Sequence, residues 1–174
     1  MGDKMVEKIE KRKVWLEYLK VIIVTLIITY GILYFVQISK VHGVSMLPTF
    51  HEGNIVLVDK VFYKHSEPKR NDIIVVDYQD VNLKEKFLIK RVIGISGDYI
   101  EIKDNELYLN SELLEEDYIK DVMVNVEDMV VDVPKGKVFV MGDNRNNSLD
   151  SRKLGYFDFE EDVIGKVFFT VPFF

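Results

Sequence analysis

Neither cysteine nor alanine occurs in the 174 residues, and histidine is limited to His42, His51 and His65. Without cysteine there is no disulfide, no zinc–thiolate centre and no thiol nucleophile. The three histidines have no evident carboxylate orienter, so a Ser-His-Asp triad has nothing specific behind it. An H-E-x-x-H zinc pair, a G-x-S-x-G elbow and a phosphate-binding glycine loop are also missing. The chemistry expected from what remains uses no metal and no cofactor. Proline is sparse at four residues, while 48% of the chain is hydrophobic and 30% charged. That is enough apolar surface to offset chain entropy, which argues against disorder.

Charge is unevenly spread. Residues 1–40 carry seven Lys and Arg against four Asp and Glu, a balance of +3, whereas the remainder carries 16 against 25, a balance of −9. An acidic body gives no basic face for a nucleic-acid partner, and none is expected. The basic end precedes VIIVTLIITYGILYFVQI, residues 21–38, an uncharged run of 18 residues. As a helix it would rise about 27 Å, close to the ~30 Å hydrocarbon thickness of a bilayer. Trp15, Tyr18 and Tyr34 sit near its ends, where amphipathic rings favour the interface. Lys8, Lys11, Arg12, Lys13 and Lys20 precede the run and only Lys40 follows closely. The positive-inside rule then places residues 1–20 in the cytoplasm, 21–38 across the cell membrane as a single pass, and 39–174 outside. A buried core helix is a poor alternative at this length. A cleavable signal peptide would need a shorter apolar run and small residues after it, and Val36-Gln37-Ile38-Ser39-Lys40 makes a poor cleavage site.

Beyond residue 41 the continuous apolar run gives way to short stretches rich in Val, Ile, Phe and Tyr. Strands are expected at residues 54–59, 73–77, 87–95, 99–103, 106–110, 129–133, 137–141 and 163–171, each bounded by Gly, Asn, Asp or Pro. Asp104-Asn105 makes a tight hairpin turn between two of them. The expected fold is mainly β, an N-terminal transmembrane helix followed by an antiparallel barrel-like or sandwich domain. The acidic stretch 112–128 reads as a solvated loop.

Four segments are unusual for a purely structural β domain. Gly43-Val44-Ser45-Met46-Leu47-Pro48-Thr49 lies a few residues past the apolar run, and its serine is either a loop residue or a nucleophile. Lys90 interrupts the apolar strand Phe87-Leu88-Ile89-Lys90-Arg91-Val92-Ile93, sharing a face with Leu88 and Val92. It is either a charge that blunts a sheet edge or a lysine whose ammonium is disfavoured by desolvation, as a lysine base requires. Gly94-Ile95-Ser96-Gly97-Asp98 forms a turn after that strand. Gly142-Asp143-Asn144-Arg145-Asn146-Asn147-Ser148-Leu149-Asp150-Ser151-Arg152 is by default a surface loop. A Ser-Lys dyad suits this set of residues.

Taken in order, these segments resemble the type I signal peptidases, above all the short forms of Gram-positive bacteria. N-D-I-I-V-V at 71–76, the stretch from Glu106 to Tyr118 and the ending Val171-Pro172-Phe173-Phe174 strengthen the resemblance, which covers nearly the whole chain. It implies a membrane-bound serine endopeptidase with Ser45 as nucleophile, Lys90 as general base and Ser148 orienting the lysine. Asp143, Arg91, Asp150 and Arg152 match positions that hold the site together as ion pairs. Met46, Phe50, Leu88 and Ile89 fall where the family lines its substrate pocket. Gram-negative members carry a serine two residues before the nucleophile that helps form the oxyanion hole; here the position is Gly43, as in Gram-positive members. One such donor is typically worth ~3 kcal/mol, so backbone or water at Gly43 is expected to replace it beside the Ser45 N–H.

The implied substrates are exported preproteins cut after Ala-X-Ala-like sites, at the lipid bilayer and near the secretion translocon. A self-cleaving repressor-type protease shares the Ser-Lys chemistry but would need a DNA-binding domain instead of a membrane span. A catalytically silent, membrane-anchored interaction protein on the same fold would have no reason to keep Ser45, Lys90 and Ser148 together.

Overall fold

The computed structural model describes residues 2–78 and 87–171, with side chains from residue 11 onward; the Pro172–Phe174 ending lies outside the described residues. The chain forms two compact units, residues 1–36 and 37–174.

The first unit is one helix, α1, Gly2–Phe35. Its segment Lys11–Phe35 is long and apolar enough to cross a membrane. Its apolar side chains are exposed, Leu26 at 63% and Ile27 at 66% among them. The apolar run does not end where the helix ends: Val36-Gln37-Ile38 open a strand instead. Val and Ile serve either geometry, so the run by itself does not mark the boundary.

The second unit is mainly β, as expected. Its strands are β1 (Val36–Lys40), β2 (Ile55–Asp59), β3 (Ile73–Asp77), β4 (Phe87–Gly94), β5 (Tyr99–Lys103), β6 (Glu106–Leu109), β7 (Glu112–Leu113), β8 (Met129–Asp132), β9 (Lys137–Met141), β10 (Phe157–Asp158) and β11 (Val163–Val171). A one-turn helix, α2 (Ser151–Leu154), precedes β10. Among the described residues the strands make one seven-stranded sheet, ordered β1-β2-β11-β3-β4-β9-β10, and one four-stranded sheet, ordered β7-β6-β5-β8. The pairings β2–β11, β11–β3, β3–β4, β4–β9 and β9–β10 are antiparallel. In the small sheet β5 pairs antiparallel with β6 and β8. Lys103 opposes Glu106, and Asp104 and Asn105 between them take φ values of 51° and 66°. These left-handed conformations are what a two-residue hairpin asks of Asp and Asn.

Strand alternation sets the core. Ile74 and Val76 of β3 pack with Leu88 and Val92 of β4 and with Val138 and Val140 of β9. Val75, on the other face of β3, packs with Val41, Met46, Phe50, Val56 and Val58. A third cluster joins Ile93, Phe139 and Met141 to Ile100, Ile102 and Leu107 of the small sheet. It also takes in Met123, 5% exposed, so the stretch 112–128 is not wholly the solvated loop expected from its charge. With β3 on one side and β9 on the other, β4 is an interior strand. The β9 flank covers Arg91–Gly94 only, but Lys90 is 2% exposed, so it is not a solvated charge that blunts a sheet edge.

Candidate active site

Ser45 sits in a turn that follows β1. Gly43 adopts φ +78°, a left-handed conformation open to glycine at little cost. The turn is closed by Leu47 N–H donating to the Val44 carbonyl at 3.2 Å and Phe50 N–H to the Met46 carbonyl at 2.8 Å. Met46 and Phe50, 2% and 5% exposed, fix it to the core. A different segment grips it as well: Asn144 N–H donates to the Ser45 carbonyl at 2.9 Å, and Asn144 Nδ2 donates to the Val44 carbonyl at 3.0 Å.

Lys90 comes from the middle of β4, opposite Ile74 of β3. The residue is only 2% exposed, and its Nζ donates to Ser45 Oγ at 2.9 Å and to the Ile89 carbonyl at 2.9 Å. A hydroxyl and an amine in contact, one on a pinned turn and the other on an interior strand, make a preorganised nucleophile–base pair.

The next residue, Arg91, holds the surroundings together. Its Nε and Nη2 donate to the two carboxylate oxygens of Asp143 at 2.8 and 2.6 Å, the two-pronged geometry that makes Arg–carboxylate pairs strong. Thr49 Oγ1 donates to the same carboxylate, and the Tyr118 ring lies under the guanidinium, 4.0 Å away. The nucleophile turn, β4 and the loop at 142–145 thus meet at one buried charge pair.

A cleft of about 330 Å³ opens beside the dyad, lined by residues 39–42, Ser45, Met46, Val75 and residues 87–90. β9 pairs with β4 only from Arg91 to Gly94, so the side of Phe87–Lys90 turned away from β3 has no strand neighbour among the described residues. The family model described as "Signal peptidase, peptidase S26" matches residues 15–172. The chain belongs to this family of signal peptidases. Signal peptidase I U of Bacillus subtilis (strain 168) is 37% identical over 174 residues, covering 95% of this chain and 91% of the relative. Signal peptidase I of Bacillus licheniformis is 34% identical over 174 residues, covering 94% and 92%. A crystal structure of a signal peptidase I from Enterococcus faecalis V583 matches at 32% identity and a TM-score of 0.49, over 59% of this chain and 98% of that one.

In this signal peptidase the loop at 142–152 is far from a surface loop. Arg152 donates to Asp150 through Nε and Nη2, both at 2.8 Å, and through Nη2 to the Arg145 carbonyl at 2.7 Å. The Gly142 N–H adds a third donor to Asp150 at 3.0 Å. Burial would raise the Asp150 pKa, but the Arg152 hydrogen bonds and charge, helped by Gly142, outweigh it and hold the carboxyl below its usual range. Arg145 is itself buried, bridging Glu116 through both terminal nitrogens and giving its Nε to the Gly142 carbonyl at 3.1 Å. Burial alone would lower its pKa, but Glu116 more than compensates.

The sequence-expected residues are mostly brought together. Ser45 and Lys90 touch; Arg91–Asp143 and Arg152–Asp150 are buried ion pairs; Met46, Leu88 and Ile89 line the cleft. Phe50 does not line it. Its ring is buried instead in the core cluster with Val41, Val56 and Val58. The Ser148 hydroxyl is buried without a hydrogen bond of standard geometry. It lies against Gly142 and near Asp150. Residues to which sequence reading gave no role are Thr49, Glu116, Tyr118, Asn144 and Arg145. Their signal lay inside quoted motifs: a buried Arg145 needs a carboxylate, and Glu116 supplies it from 29 residues away.

Proposed function

We propose that this chain is a membrane-anchored serine endopeptidase that removes signal peptides from exported preproteins, cutting after Ala-X-Ala-like sites. The observation that carries the reading is the 2.9 Å contact between Lys90 Nζ and Ser45 Oγ at the wall of an apolar cleft.

The preprotein lies extended along Phe87–Lys90, adding a strand to the edge that β9 leaves open. Its side chains at −1 and −3 enter the cleft, whose lining includes Met46, Val75, Leu88 and Ile89, and small groups are preferred there. Lys90, buried on β4 and in contact with Ser45 Oγ, acts as the general base. It takes the Ser45 proton as Oγ attacks the scissile carbonyl, then gives that proton to the leaving amine. Water enters on the same amine, and the acyl-enzyme hydrolyses. The Ser45 N–H, engaged by no backbone carbonyl of the described residues, donates to the oxyanion, with backbone or water at Gly43 as second donor. The Arg91–Asp143 and Arg152–Asp150 pairs hold the loop against the nucleophile turn.

The basic residues before the apolar run place the N-terminus in the cytoplasm and the β domain outside. There the cleft meets preproteins as they leave the secretion translocon. The test is digestion of a preprotein carrying an Ala-X-Ala site by the detergent-solubilised full chain, beside Ser45→Ala and Lys90→Met. One cut after the second alanine is expected, lowered at least ~10³-fold in each variant with circular dichroism unchanged. Cleavage that survives Lys90→Met would assign the base elsewhere. A folded wild type that cuts no preprotein would leave a silent interaction protein.

A further inference from the structure

The charge on the cleft does not match the charge on the domain. Residues 41–174 are strongly acidic, 25 Asp and Glu against 16 Lys and Arg. Yet among the described residues the cleft lining holds no carboxylate, while Lys40 and His42 stand on it beside Ser39 and Val41. Both side chains are exposed. Neither enters a hydrogen bond or ion pair among the described residues, unlike Lys137 and Lys166, which are each paired to an aspartate. A cation kept unpaired at the mouth of a cleft, on an otherwise acidic surface, attracts an anionic group on whatever enters.

We infer that Lys40, seconded by His42, selects substrates with an acidic residue at −2 or −4. This rests on the peptidase reading above. Side chains of an extended peptide alternate between two faces. If the residues at −1 and −3 fill the apolar floor, those at −2 and −4 turn outward to the rim, where Lys40 and His42 lie. An exposed pair of this kind gives a preference of about two- to five-fold, screened by salt. The rim therefore ranks substrates and leaves the cleavage position to the floor.

The experiment uses the full-length protein in detergent and four peptides sharing one Ala-X-Ala site, with Asp, Ser or Lys at −2 and, in the fourth, Asp at −4. The readout is kcat/KM relative to the Ser peptide within each variant, so it is independent of how well that variant works. Wild type is expected to rank Asp above Ser above Lys, with the spread collapsing in 0.5 M salt. Lys40→Gln should flatten the ranking, His42→Gln should narrow it, and Lys40→Glu should reverse it. Equal rates on all four peptides by the wild type would overturn the inference and leave the peptidase standing. So would a ranking that persists in Lys40→Glu. Failure to cut even the Ser peptide would instead overturn the peptidase reading, and this inference with it.

Discussion

Asp150 has no exposed surface, and its carboxyl is nevertheless held below the ordinary range. Burial alone pushes the other way; Arg152 and the Gly142 N–H reverse it. A pKa lower in the folded than in the unfolded chain means that the unfolded chain binds the proton more readily, so stability rises with pH through that window. The contribution is complete above the ordinary aspartate value near ~4, and is lost as pH falls through the folded value. Asp98 shifts in the same sense: burial opposes, and Arg70, the Ile95 N–H and Asn110 prevail. The melting temperature of the β domain should therefore hold from neutrality to about pH 5 and drop below about pH 4 as these carboxylates protonate. Asp150→Asn leaves the Arg152 charge buried without its partner, a loss of about 3–5 kcal/mol. It should melt lower at pH 7 and fall less steeply between pH 5 and pH 3. Parallel curves for wild type and variant, followed by far-ultraviolet circular dichroism, would show that this pair does not set the acid limit.

Between elements, a close junction lies where the segment after β9 passes the nucleophile turn. A Cβ on Gly142 would lie 2.5 Å from the Ser45 carbonyl oxygen and also run into the Ser148 hydroxyl. The oxygen belongs to the backbone that carries the nucleophile, so relief comes from moving Ser45. Gly142→Ala is expected to lower kcat about 100-fold, the scale of a displacement near 1 Å. Its circular dichroism should stay native. A variant with wild-type kcat would mean that the two segments separate without disturbing the dyad. This junction also marks where sequence reading stops. The strand 87–95 was legible because β-branched residues run between turn signals, and the structure ends it one residue earlier, at Gly94. The closeness of Gly142 to Ser45 was not legible, because it arises from packing between segments almost a hundred residues apart. Glu116 and Tyr118 were hidden in the same way, inside a stretch whose acidity suggested solvent. β1 was hidden for a local reason: its Val and Ile continue the apolar run of the helix, and only pairing with β2 distinguishes it.

At the scale of the whole chain, one helix fit to cross a bilayer precedes an acidic β domain, and the charges around the helix decide which side that domain faces. Lys11, Arg12, Lys13 and Lys20 lie before the uncharged run and Lys40 after it. Lys and Arg near the end of a span resist translocation, which favours a cytoplasmic N-terminus. The absence of cysteine makes this directly measurable, since any thiol introduced will be the only one in the chain. Lys13→Cys and Glu160→Cys alter exposed residues before the run and in the β domain. In intact cells a membrane-impermeant maleimide should label Glu160→Cys and leave Lys13→Cys unlabelled until the membrane is permeabilised. The opposite pattern would place the cleft in the cytoplasm, on the wrong side for preproteins that have already crossed. Labelling of both thiols in intact cells would mean that the helix does not span the membrane at all. Replacing Lys11, Arg12 and Lys13 together by Gln weakens the bias without touching the β domain, so a mixed population is the expected result. That mixture would identify these three side chains as what sets the orientation of the helix.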